Sequence, residues 1–101
     1  MGIYPVTRAV FFDRDGVINQ ALTRDGYPFP PANWDEFSWV DGIKDVSTTL
    51  KDAGFILFCV TNQPDVGRGI QDRSVVEMLH QHILELLPLE KIYVCYHDDQ
   101  D

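Results

Sequence analysis

The chain has 101 residues, 45% of them apolar, and a formal net charge of −8. That length supports one small domain and excludes two. The acidic balance argues against nonspecific nucleic-acid binding, which needs a basic face, but not against an anionic small molecule, because Mg2+ can offset the repulsion.

Residues 1–10 lack a charged segment followed by a long apolar run, and no apolar stretch is long enough to span a bilayer. Neither a signal peptide nor a membrane is therefore expected. The two cysteines, Cys59 and Cys95, lie in apolar or aromatic stretches and suggest no disulfide framework, which favours a reducing, cytoplasmic setting.

In chain order, the first element is the run Ala9-Val10-Phe11-Phe12, which stops at Asp13. Short and uniformly apolar, it suits a strand buried on both faces of a parallel sheet. Residues 14–40 then form a long excursion containing Gly16, Gly26, Pro28, Pro30, Pro31 and two tryptophans. Excursions of this length inside a small domain are usually functional. Trp34 and Trp39 are expected to cover the sheet edge with their large apolar area; the sharper alternative is a substrate wall. From Asp41, Ile43, Val46, Leu50 and Ala53 follow helical spacing, with Asp41 as N-cap and Gly54 as the stop. A second strand, Phe55–Val60, ends at Thr61-Asn62. A second helix carries Val75, Val76, Leu79, Ile83, Leu86 and Leu87; Ser74 and Glu77 resemble a capping box, and Pro88 ends it. The last run, Ile92–Tyr96, gives way to His97. Strands alternating with helices imply right-handed βαβ units, hence an α/β domain with a parallel sheet flanked by helices over residues 1–101.

Ligands of open parallel sheets bind beyond the carboxyl ends of the strands. The polar residues there are Asp13 and Asp15, Thr61 and Asn62, and His97. Asp13 and Asp15 are two apart, so an extended chain turns both carboxylates the same way, and Gly16 permits a tight turn beside a ligand. Two carboxylates with Mg2+ form a working set for phosphoryl transfer. An isolated DxDG is usually only a polar turn; one that directly follows a buried strand carries more weight. Thr61-Asn62, alone a turn pair, gains meaning from the carboxylates on the same sheet, because a hydroxyl and an amide can donate to phosphate oxygens.

Residues Phe11 to Asn19, FFDRDGVIN, resemble the first motif of the haloacid dehalogenase superfamily. In detail they resemble the subgroup of heptose bisphosphate and histidinol phosphate phosphatases. Val60-Thr61-Asn62-Gln63, followed by Gly67-Arg68-Gly69, is similar to that subgroup's second motif region, and Asp25-Gly26-Tyr27 to the start of its substrate-facing excursion. The resemblance implies a Rossmann-like core and an aspartyl-phosphate mechanism. Asp13 would attack phosphorus; Asp15 would protonate the leaving oxygen and then activate water. Mg2+ would be held by the Asp13 carboxylate and the Asp15 backbone carbonyl. Thr61 and Asn62 would hold the transferring phosphoryl group. Arg68 would meet a second anionic group of a small phosphorylated metabolite, and reads equally well as a solvated loop arginine.

The resemblance also makes Cys95-x-His97 half of a structural Zn2+ site, normally completed by a later Cys-x-Cys; the plain alternative is a strand cysteine and a loop histidine. Cys59 reads as core, and His80 and His82, two apart on a helix, make a poor ligand pair. The family's third-motif Lys or Arg and fourth-motif acid lie downstream of the zinc region in relatives. Asp98, Asp99 and Asp101 fall too early to serve, and Lys44, Lys51 and Lys91 sit in the wrong elements. The chain is therefore expected to be truncated after its third strand, leaving an exposed strand edge open to self-association. The substrate expected first is a sugar bisphosphate such as heptose bisphosphate. The rivals are histidinol phosphate, a binding or regulatory module without catalysis, and an inert piece that assembles through its edge.

Overall fold

The apolar run after residue 7 forms strand β1, Arg8–Asp13, and ends where carboxylates replace hydrocarbon. The computed structural model describes residues 8–97; Asp98, Asp99 and Asp101 lie outside the described residues. Strands β2 (Leu22–Arg24) and β3 (Tyr27–Phe29) follow, then a 3-10 turn at Trp34–Glu36 and helix α1, Ile43–Asp52. Next come β4 (Phe55–Asn62), a one-turn helix α2 (Pro64–Gly67), α3 (Arg73–Leu86) and β5 (Lys91–Cys95).

The sheet has the order β1-β4-β5 and is parallel throughout. Asp13 aligns with Val60, and Thr61 and Asn62 align with Val94 and Cys95. All three strands therefore deliver their polar ends to one edge. A backbone bond from the Gln63 N–H to the Cys95 carbonyl, 2.7 Å, continues the pairing past the strand end. The excursion holds the antiparallel hairpin β2–β3, whose two-residue turn is Asp25-Gly26.

The expectation that β1 is buried on both faces is corrected. Both crossovers step in the same direction, and right-handed crossovers of that kind put their helices on the same side. Ile43 of α1 and Ile83 of α3 accordingly meet one core with Cys59, Ile18 and Leu87, each at most 5% exposed. The other face carries Phe11, 59% exposed, with Phe58, Val60 and Tyr93. The side-chain period of two sends alternate residues of each strand to opposite faces, so only half of each apolar run is covered.

Two helix starts also differ from expectation. Asp41 does not cap α1; the N-cap is Gly42 in the left-handed region at φ 84°, with no side-chain cap. Helix α3 begins at Arg73 after Asp72, so Ser74 lies inside it, and Glu77 bonds Arg73 Nε at 2.9 Å instead of closing a capping box. Gly54 does end α1, its N–H bonding the Lys51 carbonyl at 3.0 Å. Trp39 and Phe37 pack against the core, and Trp34 stacks on His82 of α3 at 4.4 Å between centroids. The tryptophans thus fasten the excursion to the helical layer. Among the described residues, no helix is long and apolar enough to cross a membrane.

Candidate active site

Beyond β1 the chain turns sharply. The Arg14 carbonyl accepts from the N–H groups of Val17, Ile18 and Asn19, and the Gly16 N–H returns to the Asn19 carbonyl at 2.7 Å. Gly16 holds φ 90° at this turn, a conformation that a Cβ would strain. The turn places Arg14 and Asn19 inside the protein and Asp15 at its surface, with 30% of the Asp15 side chain exposed.

The Asp15 carboxylate is held by three donors. Arg14 Nη2 reaches Oδ1 at 2.8 Å and Asn19 Nδ2 reaches it at 3.0 Å, while Gln63 Nε2 donates to Oδ2 at 2.9 Å. A carboxylate offers about four lone-pair sites, so roughly one, on Oδ2, is left for a ligand. Burial pushes this carboxyl up. The charge and hydrogen bond of Arg14, with the bonds from Asn19 and Gln63, outweigh it and hold Asp15 below the ordinary carboxylate range.

A cleft of about 210 Å3 opens beside this group, lined by Asp15, Phe29, Pro30, Asn62, Gln63 and Arg68 among others. It unites three of the sequence candidates: Asp15, Asn62 and Arg68. Arg68, 42% exposed at the end of α2, pairs with Asp65 at 3.3 Å. Asp13 is exposed at the end of β1 and does not line the cleft. Thr61 does not line it either: its side chain, 6% exposed, faces the helical layer, and its hydroxyl accepts from Gln63 Nε2 at 2.9 Å. The hairpin end, Phe29 and Pro30, lines this cleft; Trp34 and Trp39 do not.

Sequence reasoning missed Gln63, Asn19, Arg14 and His80 as a connected group. Gln63 and Asn19 stood within the quoted motifs, but nothing in their spacing showed that both amides converge on Asp15. His80, dismissed as a ligand, takes a hydrogen bond from buried Arg14 at 3.0 Å. Burial, and then the Arg14 charge, push its imidazole down to about 4.

The donor chemistry fits Mg2+, which prefers oxygen ligands and keeps several waters. Asp13 brings an exposed carboxylate and Asp15, two residues on, a backbone carbonyl; waters would have to complete the shell, since no larger acidic cluster stands there among the described residues. The zinc expectation finds no support: Cys95 is an exposed free thiol near His97, and among the described residues no group of three or more His, Cys, Asp or Glu could hold a metal. Tetrahedral zinc needs four ligands. Cys59 is buried as expected, and burial pushes its thiol up to about 12.

No protein-family model matches the chain. Among curated proteins, D-glycero-alpha-D-manno-heptose-1,7-bisphosphate 7-phosphatase of Burkholderia mallei is 34% identical over 93 residues, 87% of this chain and 46% of that protein. D-glycero-beta-D-manno-heptose-1,7-bisphosphate 7-phosphatase of Yersinia pestis is 35% identical over 94 residues, 88% of this chain and 47% of that protein. Among solved structures, a HAD-like protein from Mesorhizobium loti superposes with a TM-score of 0.76 at 25% identity, covering 96% of this chain and 46% of its own. D,D-heptose 1,7-bisphosphate phosphatase from B. bronchiseptica, complexed with magnesium and phosphate, gives 0.75 at 24% identity, covering 94% and 53%, a likeness of fold. The chain spans about half the length of the curated relatives it matches.

Proposed function

The chain belongs to the haloacid dehalogenase-type phosphatases, and from that premise we propose that it carries the phosphate-accepting half of a Mg2+-dependent phosphomonoester hydrolase. The substrate is a small phosphorylated sugar, with a heptose bisphosphate first and histidinol phosphate as the rival. The observation that supports this reading is the meeting of Asp15, Asn62 and Arg68 in one cleft at the carboxyl edge of a parallel sheet, with Asp13 at the end of β1, in a chain similar to heptose bisphosphate phosphatases.

In the first step an Asp13 carboxylate oxygen attacks phosphorus, and the ester oxygen leaves with a proton from Asp15. In the second, Asp15 takes a proton from water, the oxygen of that water attacks the aspartyl phosphate, and inorganic phosphate departs with Asp13 restored. The donors around Asp15 favour its ionised form, which suits the second step. The first needs its proton, and a phosphate dianion nearby favours protonation. Asn62 donates from its amide to phosphoryl oxygens, and Arg68 meets a second anionic group. Thr61 accepts from Gln63 and so holds that amide, which in turn donates to Asp15. When bound at Asp13 and the Asp15 carbonyl, Mg2+ supplies charge neutralisation.

A second reading, a phosphate-binding module without turnover, is favoured by the surroundings of the lysines. Lys44 lies over Trp39 and Lys91 over Tyr93, and among the described residues no lysine lines the cleft. Phosphate release from sugar and amino-alcohol phosphates, with and without Mg2+ and beside Asp13→Asn, separates the two. Slow release that needs metal and vanishes in Asp13→Asn supports the hydrolase. Binding of phosphate without release supports the module. Neither binding nor release rejects both.

A further inference from the structure

Arg14 is 1% exposed, yet it carries a permanent charge. Burying a guanidinium is costly unless its N–H groups find partners; the two Nη groups of Arg14 do, and its buried Nε does not. One Nη meets Asp15 Oδ1 at 2.8 Å, and the other meets Nε2 of His80 at 3.0 Å. Arginine has five donors and no acceptor. Nε2 must therefore supply the lone pair, which makes the ring neutral and places its proton on Nδ1. His80 is itself 6% exposed and stands on α3, 66 residues from Arg14. The hydrogen bond ties the helical layer to the turn after β1.

We propose that His80 is a positioning residue: it fixes the Arg14 fork so that Arg14 in turn orients the Asp15 carboxylate toward the cleft. With the Nη1 side anchored, Nη2 points at Oδ1, and Oδ2 is left to Gln63 and to a ligand. Without the acceptor on α3, the guanidinium turns to find another partner and Asp15 loses its fixed orientation. Nothing in this requires His80 to touch substrate. Its functional consequence rests on the reading of Asp15 as the proton-transferring carboxylate, but the arrangement itself is testable without turnover.

The test is side-chain NMR on the full chain and on His80→Leu and His80→Gln. In the wild type the His80 ring is expected as the Nδ1–H tautomer, with a bare Nε2, and the Arg14 guanidinium as slowly exchanging, distinct N–H signals. In His80→Leu those signals should exchange roughly tenfold faster, the factor one hydrogen bond to a charged group is worth, and the Asp15 carboxyl 13C resonance should move. His80→Gln, whose amide oxygen can accept the same bond, should restore both. A proton on Nε2 in the wild type overturns the proposal, as do unchanged Arg14 and Asp15 signals in His80→Leu. Should the leucine variant fail to fold, the wild-type tautomer and the glutamine variant decide. A chain with these signatures that neither binds nor releases phosphate rejects the phosphatase reading and leaves the positioning role intact.

Discussion

At the scale of single residues, two titrating groups on either side of Arg14 both lose stability as pH falls, in different pH windows. His80 is pushed down to about 4 from an ordinary 6.5 by burial and by the Arg14 charge, with Asp15 and Glu77 acting weakly the other way. Between those values the unfolded chain binds more protons than the folded one. Stability is therefore full above about pH 6.5 and falls as pH drops toward 4, by on the order of 3 kcal/mol. Asp15 has its folded carboxyl held low, so its contribution is present above the unfolded value near 3.8 and is lost only as pH falls further. Denaturant melts from pH 7 to pH 3 should show two stages of loss. His80→Gln should remove the first and leave the second; a variant that keeps the upper stage sinks this account. Asp15→Asn at pH 7 takes the carboxylate from a buried guanidinium, and breaking such a pair costs about 3 kcal/mol at the lower end of the usual range. The partial exposure of Asp15, 30%, is why the lower end applies.

At the scale of elements, the helix ends separate pattern from geometry. The spacing of Ile43, Val46 and Leu50 signals a helix, but the buried face carries Ile43 and Ser47 and leaves Val46 51% exposed. Asp41 looked like its cap, but the chain enters α1 through Gly42 at φ 84°, which the sequence pattern did not reveal. Asp41→Ala should leave the melting temperature unchanged within error. Gly42→Ala should cost about 1 kcal/mol through backbone strain alone, since nothing lies within 4 Å of the added Cβ. Equal effects of the two, read from thermal melts, would restore Asp41 as the cap. On α3, Ile83 is fully buried against Cys59 and Ile43. Ile83→Ala should cost about 2–5 kcal/mol, which in a domain this size threatens folding outright.

At the scale of the whole molecule, the uncovered sheet face dominates. Phe11 and Phe58 stack at 5.1 Å and Tyr93 follows at 6.0 Å, on the side away from both helices. β1 is an edge strand among the described residues. Apolar faces and open edges of this kind draw partners. Sedimentation velocity should therefore show association that rises with concentration, reduced in Phe11→Arg. A concentration-independent monomer would count against self-association. The charge of −8 opposes the contact at low ionic strength, so added salt should strengthen it.

The sequence by itself determined the three strands of the parallel sheet, the two long helices, their right-handed order and the edge where the polar ends collect, but not the hairpin strands β2 and β3. Each of these follows from local periodicity and from the chirality of the L-chain, which need no knowledge of distant neighbours. The DRDG string after an apolar run also located Asp13 and Asp15 before any coordinate was known. Tertiary structure alone decided which face of the sheet is covered, because that depends on both crossovers stepping the same way. It also decided that Thr61 turns inward to Gln63 and that Trp34 and Trp39 pack on the helical layer. Above all it brought His80 of α3 to Arg14, across 66 residues. A hydrogen bond between groups so far apart in sequence leaves no trace in spacing. It forms because a buried charge must be satisfied, and only the packed fold decides which acceptor is within reach.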